Sequence, residues 1–276
     1  MASTMRVLVA FGLLVTACGP SVSDYTDASN GRGDGSTSGA DARWTDAPPV
    51  ALNASVYAHS SGSLYKVDPD TLAVSLVAPF TWSNGTDQMT DIALDKDGNM
   101  TGISFDAVYS VNKDTAEATY LAPITGNFNG LSYVSDTSGG DPREILVAAG
   151  NDGNVFEINP LTGASTLKGN YGGGYTSSGD IVSVRGLGAF ATVDQGLTGN
   201  DFLARVNTTN YSVTIIGDTG FTDIWGIAFW GDKVYGFTEN RQFVLIDINT
   251  GAATPVEMGA VNWWGAGVTT SAPVIE

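Results

Sequence analysis

Three polar residues could together bind a cation or exchange protons. Asp91, Asn129 and Asp180 each lie at or next to the start of a short apolar segment. Calcium takes about six to eight oxygen ligands, several of them carboxylates, so the three form a candidate calcium site if the segments meet. Asp91 and Asp180 could instead be the acid and base of a glycosidase-type hydrolysis. Either chemistry requires the fold to bring distant parts of the chain together.

Tryptophans near acidic and amide residues indicate a different chemistry. Aromatic rings stack on the apolar faces of sugars, while carboxylates and amides hydrogen-bond to the hydroxyl groups, so the combination suits a carbohydrate. The alternative is that the tryptophans pack in the core. Core packing is the favoured interpretation for Trp225 and Trp264. For Trp82 and Trp263, core packing and ligand binding are equally supported. The candidate ligand-binding residues are Trp82, Asp91, Asn129, Asp180, Asp223, Trp225, Trp263 and Trp264.

Other chemistries find little support in the composition. The single histidine, His59, is expected to be packed, and it offers the only base for a Ser-His-Asp set. One histidine and one cysteine make a zinc site unexpected. The formal net charge of −17, from 12 Lys and Arg against 29 Asp and Glu, disfavours binding to nucleic acid or to anionic membrane surfaces. We therefore assign no catalytic residue and no nucleic-acid partner.

A fivefold repeat supplies the elements that position these residues. Val67, Val111, Ile158, Val206 and Ile248 anchor five similar segments, separated by 44, 47, 48 and 42 residues. Each segment is a short apolar strand, an Asp or Asn with turn residues, and a second strand. A four-stranded propeller blade needs about 40–50 residues, which matches this period. The segments are Leu64–Phe80, Val108–Ile124, Val155–Tyr171, Leu203–Thr219 and Leu245–Ala260.

A second series of apolar segments with small residues is typical of the innermost strands of a propeller. The first repeat has no such strand before it, and Trp264–Thr269 is an inner strand with no blade after it. The two ends therefore complete each other. We predict an all-β, five-bladed propeller closed by pairing of the C-terminal strand into the first blade; an open array of five units is the alternative. The inner segments are Thr90–Asp95, Asn129–Val134, Gly179–Val184, Trp225–Trp230 and Trp264–Thr269.

With these repeats, the chain resembles bacterial β-propeller lipoproteins of the broad NHL, SMP-30 and WD40-like kind. The resemblance rests on the turn Tyr65–Thr71 (Tyr-Lys-Val-Asp-Pro-Asp-Thr) and on Asp95–Asn99, and it covers about residues 51 to 276. It implies the propeller fold, and function is not implied by fold. SMP-30-like hydrolases hold calcium at the channel mouth with an inner-strand glutamate. No inner strand here begins with Glu, which argues against a lactonase.

The first residues predict export and anchoring. Arg6 precedes the apolar run Val7–Val15, which is too short to span a membrane, and Val15–Cys18 is similar to the lipobox of bacterial lipoproteins. That resemblance implies a signal peptide over residues 1–17, counted from Met1 or from Met5, and a lipid on Cys18. Residues 18–50 are rich in Ser, Gly, Asp and Ala, which is typical of a flexible tether. The propeller domain would then comprise residues 51–276.

These features predict a lipid-anchored protein of the bacterial cell envelope, with Gly19 favouring the outer membrane. Its function would be that of a binding or scaffolding module, with a polysaccharide or a partner protein at the channel mouth. The first alternative is a calcium-assisted hydrolase, lactonase-like or glycosidase-like, that uses Asp91 and Asp180. A purely structural envelope component is the second. No cofactor is expected apart from possible calcium.

Overall fold

The computed structural model describes residues 54–136, 143–196 and 199–275. The predicted signal peptide, Cys18 and the tether lie outside the described residues. Within the described ranges the chain forms strands, turns and bends, and no segment is a helix long and apolar enough to cross a membrane.

The strands of the described ranges are short, as expected for β-branched and aromatic runs interrupted by Gly, Asn and Asp. In chain order they are β1 (Val56–Ser60), β2 (Ser63–Val67), β3 (Val74–Pro79), β4 (Thr81–Trp82), β5 (Asp91–Leu94), β6 (Met100–Ile103), β7 (Ala107–Val111), β8 (Glu117–Pro123), β9 (Phe128–Asp136), β10 (Arg143–Gly150), β11 (Asn154–Ile158), β12 (Ser165–Asn170), β13 (Thr176–Val184), β14 (Gly188–Asp194), β15 (Phe202–Val206), β16 (Val213–Asp218), β17 (Ile224–Trp230), β18 (Lys233–Thr238), β19 (Gln242–Asp247), β20 (Ala253–Met258) and β21 (Gly265–Gly267).

These strands form five sheets, antiparallel except for the pairing of β4, arranged as the blades of a five-bladed β-propeller, as predicted. From the channel outward, the blades have the strand orders β21-β1-β2-β3, β5-β6-β7-β8, β9-β10-β11-β12, β13-β14-β15-β16 and β17-β18-β19-β20. The first blade combines the C-terminal strand with the N-terminal ones.

Ring closure is confirmed by the register of β21 against β1. Gly265 pairs with His59 and Gly267 with Tyr57, in antiparallel orientation. The last strand thereby covers the inner edge of the first blade, which would otherwise expose unpaired backbone groups. The alternative of an open array is wrong.

The second blade has one strand more than predicted. β4 pairs in parallel with the outer strand β8, with Thr81 opposite Glu117 and Trp82 opposite Ala118. The segment after β3 therefore crosses to the outer edge of the next blade before the chain enters the channel as β5. Two residues of pairing leave no periodic signal in the sequence, so the repeat does not predict this strand.

The turn between the third and fourth strands of every blade is closed by one Asp or Asn side chain. In each case the side-chain oxygen accepts a hydrogen bond from the backbone N–H two residues ahead, at 2.9–3.0 Å. An Asx turn of this kind replaces backbone bonds that the tight turn cannot make. The repeated Asp and Asn residues of the sequence thus have a structural role. They are Asp68, Asn112, Asn159, Asn207 and Asp247.

Candidate functional site

Aspartate and glycine occupy matching positions on the five inner strands. The sequence reads Asp-Ile at Asp91 and Asp180, Gly-Leu at Gly130, and Gly-Ile or Gly-Ala at Gly226 and Gly265. A side chain on Gly265 would collide with Asp91 and His59, and one on Gly226 would collide with the backbone of Gly265. The channel therefore has room for two carboxyl groups because the other three strands carry glycine there.

Asp180 joins three blades through hydrogen bonds from backbone N–H groups. Its Oδ1 accepts from Ile181 at 2.6 Å and from Leu131 at 3.4 Å, and its Oδ2 accepts from Ile227 at 2.7 Å. The donors lie on β13, β9 and β17, and Asp180 itself has no solvent exposure. Hydrogen bonds from several N–H groups favour the ionised form of a carboxyl group.

Asp91 has fewer donors and stands beside Asp180. Its Oδ1 accepts from the N–H of Ile92 at 2.8 Å, whereas Oδ2 has no donor among the described residues. Burial raises the pKa of Asp91 well above its ordinary value, and the nearby charge and hydrogen bond of Asp180 raise it further. Burial also raises the pKa of Asp180 well above its ordinary value, although its backbone donors and the hydrogen bond with Asp91 oppose that effect. From the unequal number of donors we infer that Asp180 is the better stabilised as an anion and that Asp91 is the better holder of a proton.

His59 completes this buried layer as a neutral group. Its Nδ1 donates to the carbonyl of Ser60 at 3.0 Å, and its Nε2 lies 3.7 Å from Asp91 Oδ1. Burial lowers the pKa of His59 to about 4, so the ring carries no charge at neutral pH. The contact with Asp91 is therefore not an ion pair.

A pocket of about 530 Å³ opens at one end of the channel, directly above this layer. Thr90, Asn129, Trp225 and Trp264 of its lining each precede an Asp or Gly of the layer by one residue. The remaining lining comes from the first residues of β9 and β13, from the loop before β17 and from the hairpins between the second and third strands of blades. Its full lining is Thr90, Phe105, Phe128, Asn129, Asn151, Thr176, Ser177, Ser178, Asp194, Gly196, Gly199, Asp201, Asp223, Trp225 and Trp264.

Aromatic rings form part of the pocket wall. The rings of Trp225 and Trp264 meet edge to face with centroids 6.3 Å apart, and Phe105 meets Trp264 in the same way at 6.3 Å. Phe105 is 55% exposed, and both tryptophans are half-buried. Partly exposed rings beside a cavity can stack on an apolar ligand surface.

Carboxylates and amides form the polar part of the wall. Asn129 Nδ2 donates to Asn151 Oδ1 at 2.7 Å and to the carbonyl of Ser177 at 3.1 Å. Asp201 is only 3% exposed, and its Oδ2 accepts from the N–H of Ile224 at 2.7 Å. Burial raises the pKa of Asp201 to about 6, partly offset by that hydrogen bond.

The structure brings together some of the predicted site residues and separates others. Asn129, Asp223, Trp225 and Trp264 line the pocket, and the half-buried tryptophans are not fully enclosed core residues. Asp91 and Asp180 meet, as the predicted convergence requires, but they lie beneath the pocket with no exposure.

Two predicted residues lie outside the pocket lining. Trp263 is 2% exposed and packs edge-on against Phe237 and Tyr65, with centroids 5.3 and 5.1 Å away, which makes it a core residue. Trp82 lies on β4, where its ring meets Tyr109 at 4.9 Å. For both tryptophans the geometry thus agrees with the packing alternative, because each packs against its own or the neighbouring blade.

Sequence reasoning missed Phe105, Asp194 and Asp201, which follow or precede strands in the middle of blades. The strand topology, however, predicts the position of these residues. In an antiparallel blade, the hairpin from the second to the third strand emerges at the same end as the loop into the next inner strand. Both sets of connections therefore contribute to one mouth.

The predicted calcium ligands lie in two layers. Asp91 and Asp180 accept backbone hydrogen bonds below the pocket, while Asn129 lines the pocket above them, where its Nδ2 donates to Asn151 and Ser177. Within the described ranges, no group of three His, Cys, Asp or Glu side chains is placed to hold a metal ion. Calcium binding stays a prediction.

No protein-family model and no curated protein matches the sequence. Among solved structures, the chain is similar to a protein of unknown function from Bacteroides caccae, at 10% identity and a TM-score of 0.41, covering 74% of this chain and 73% of that one. It is also similar to the computationally designed Ika8 protein, at 15% identity and a TM-score of 0.36, covering 75% of this chain and 59% of that one. These similarities carry no argument about function, and membership of a lipoprotein, NHL or SMP-30 family stays a prediction.

Proposed function

We propose that this protein is an envelope-anchored binding module that holds a polysaccharide in the pocket at the channel mouth. The observation that carries the proposal is the combination of Trp225, Trp264 and Phe105 with amide and carboxylate groups around one cavity of about 530 Å³. Pockets that bind small molecules and sugars are commonly of this size and pair a few polar groups with apolar walls.

A second cavity supports a chain-like ligand. It has a volume of about 400 Å³ and shares Phe128 and Asn151 with the pocket at the mouth. Phe128 meets Phe156 of this second cavity edge to face at 5.6 Å. A ligand longer than one sugar unit could therefore continue from the first cavity into the second.

A partner protein at the mouth is the less favoured ligand. Protein interfaces usually present a contiguous apolar patch on the surface. The other large exposed apolar residues of the described ranges lie away from the mouth. They are on outer strands (Leu76, Leu167 and Met258), in the turn between β11 and β12 (Leu161) and near the C-terminus (Val274 and Ile275). Among the described residues, the exposed apolar surface at the mouth is thus confined to the pocket and its rim.

The hydrolase alternative would need a substrate in contact with Asp91 or Asp180. Both carboxyl groups are fully buried, and Asp180 is bound to three blades. We therefore propose that the pair seals and braces the channel, and that ligand contact takes place above it.

Anchoring is part of the same proposal. A lipid on Cys18 would attach the chain to the bacterial envelope, with the outer membrane favoured by Gly19. Thirty-one residues from Gly19 to Pro49 would give the propeller a reach of roughly 30 Å if they behave as a Gly/Ser coil. The mouth could then meet glycans near the membrane surface.

Affinity electrophoresis of the full chain in gels containing soluble polysaccharides tests the proposal. At least one polysaccharide should retard the protein, and Trp264→Ala should abolish the retardation. The control is Trp82→Ala, which removes the same ring from outside the pocket lining and should leave retardation unchanged. Retardation that survives Trp264→Ala, or no retardation by any polysaccharide, would contradict the proposal and favour a protein scaffold.

A further inference from the structure

The pocket is rich in negative charge. Asp194, Asp201 and Asp223 belong to its lining, and no Lys, Arg or His occurs among the described lining residues. A neutral sugar needs both donors and acceptors from a binding site, because each hydroxyl group both donates and accepts. This wall supplies acceptors in excess, so it suits a ligand with more donors than a neutral sugar.

Unsatisfied polar atoms at the base of the pocket indicate the same preference. Because Asn129 Nδ2 already donates to two acceptors, the orientation of the amide is set, and its Oδ1 is left as a buried acceptor without a partner. Ser177 is 4% exposed and lines the pocket, and its hydroxyl lies beside the buried hydroxyl of Tyr171. Buried polar atoms without partners are costly, and a ligand that bonds to them removes that cost.

The aromatic wall can also bind a cation. Trp225 and Trp264 line the pocket together with Phe105. The faces of aromatic rings carry partial negative charge and attract an ammonium group placed over them. Carboxylates, an unpaired amide oxygen and aromatic rings thus converge on one cavity.

We propose that the pocket selects a glycan that bears a free ammonium group, that is, an amino sugar without an N-acetyl cap; this inference rests on the proposed glycan-binding function. The ammonium group donates three hydrogen bonds and carries the charge that the three aspartates complement. N-acetylation removes the charge and two of the donors, so it removes what the pocket recognises.

Asp223 is the best residue for a test. Its Oδ2 accepts from Thr222 Oγ1 at 2.9 Å and from Asn240 Nδ2 at 3.4 Å, so the carboxylate has a set orientation. Its backbone φ of 54° lies in the left-handed region, which asparagine tolerates as well as aspartate does. Asp223→Asn therefore removes the charge while keeping shape and backbone conformation.

Isothermal titration calorimetry of the full chain at pH 6.5 and low salt compares two probes, a β-1,4-linked glucosamine tetramer and its fully N-acetylated counterpart. We expect the amine-bearing tetramer to bind about tenfold more tightly or better, the equivalent of one strong charged contact. Asp223→Asn should remove most of that difference. Asp70→Asn, an exposed aspartate in the turn between β2 and β3 with no part in the pocket, is the charge-matched control and should leave it unchanged.

The outcomes of the titration distinguish a failure of the amine preference from a failure of the glycan-binding function. Equal or tighter binding of the acetylated tetramer would overturn the amine preference while leaving the proposed glycan function standing. An amine preference that Asp223→Asn and Asp70→Asn weaken equally would also overturn it, because the effect would then come from net charge. Binding of neither tetramer, together with no retardation by any polysaccharide, would overturn the glycan function itself.

Discussion

Replacing Asp180 by asparagine should destabilise the propeller strongly, whereas the same replacement of Asp91 should not. The two carboxyl groups have equal burial and the same sequence context, Asp-Ile on an inner strand. They differ in their donors, since Asp180 accepts three backbone hydrogen bonds from three strands and Asp91 accepts one from its own neighbour. The pair of variants therefore tests where the shared proton lies.

The loss in the free energy of unfolding expected for Asp180→Asn follows from the hydrogen bonds of Asp180. An asparagine oxygen can keep the bonds to Ile181 and Leu131, but the amide nitrogen then faces the N–H of Ile227, which loses its acceptor. A hydrogen bond to a charged group is worth about 1.5–3 kcal/mol, and a buried N–H without a partner costs about 1–3 kcal/mol. We expect a loss of roughly 3–5 kcal/mol in the free energy of unfolding. For a domain of this size, that loss lowers Tm by about 6–20 °C.

For Asp91→Asn we expect a change below about 1 kcal/mol at pH 7, because an amide N–H can replace the protonated carboxyl as the donor to Asp180. The pH dependence has a definite sign. The raised pKa of Asp91 means that the native protein keeps a proton that the unfolded chain loses above its ordinary carboxyl pKa of about 3.9. The stability contributed by that proton is complete below the ordinary pKa and falls as pH rises toward the raised pKa. Asp91→Asn should remove this decline.

Calorimetric melts of the wild type and both variants at pH 5 and pH 8 provide the measurement. Asp70→Asn, an exposed turn aspartate, controls for the loss of one negative charge. Equal losses for Asp91→Asn and Asp180→Asn would refute the unequal roles assigned here. A larger loss for Asp91→Asn would mean that the proton lies on Asp180.

Three further predictions concern the core, the pocket and the anchor. Trp263→Ala should cost about 3–5 kcal/mol in urea unfolding, because a core ring is deleted; a cost below 1 kcal/mol would contradict its place in the core. Binding of the glucosamine tetramer should weaken as pH falls through about 6, because Asp201 then gains a proton beside Asp194 and Asp223. Titration calorimetry at pH 5 and pH 7 measures this change in affinity. Equal affinity at the two pH values would mean that Asp201 does not face the ligand. Cys18→Ser should abolish incorporation of labelled palmitate in a Gram-negative host, and labelling that persists would refute lipidation at this residue.

The fold could be predicted from the sequence because its decisive features are topological. A period of 42–48 residues sets the blade, and a surplus strand at one end with a missing strand at the other sets the closure. The pocket was only half predictable. Residues entering the inner strands, such as Asn129 and Trp225, carry a positional signal, since each precedes the channel layer by one residue. The packing of Trp82 on β4 depends on a two-residue parallel pairing with a neighbouring blade, and sequence periodicity does not report such contacts.

The glycines of the inner strands explain why the channel contains buried carboxyl groups. Glycine at Gly130, Gly226 and Gly265 brings inner strands close together, since an added carbon would meet the backbone or side chains of the next strand. Close packing of this kind turns backbone N–H groups toward the buried centre of the channel, and the carboxyl group of Asp180 accepts hydrogen bonds from three of them. An ionised Asp91 beside Asp180 would add repulsion, and burial together with this neighbour raises the pKa of Asp91. The acidic groups that remain free to meet a ligand are then those of the pocket above.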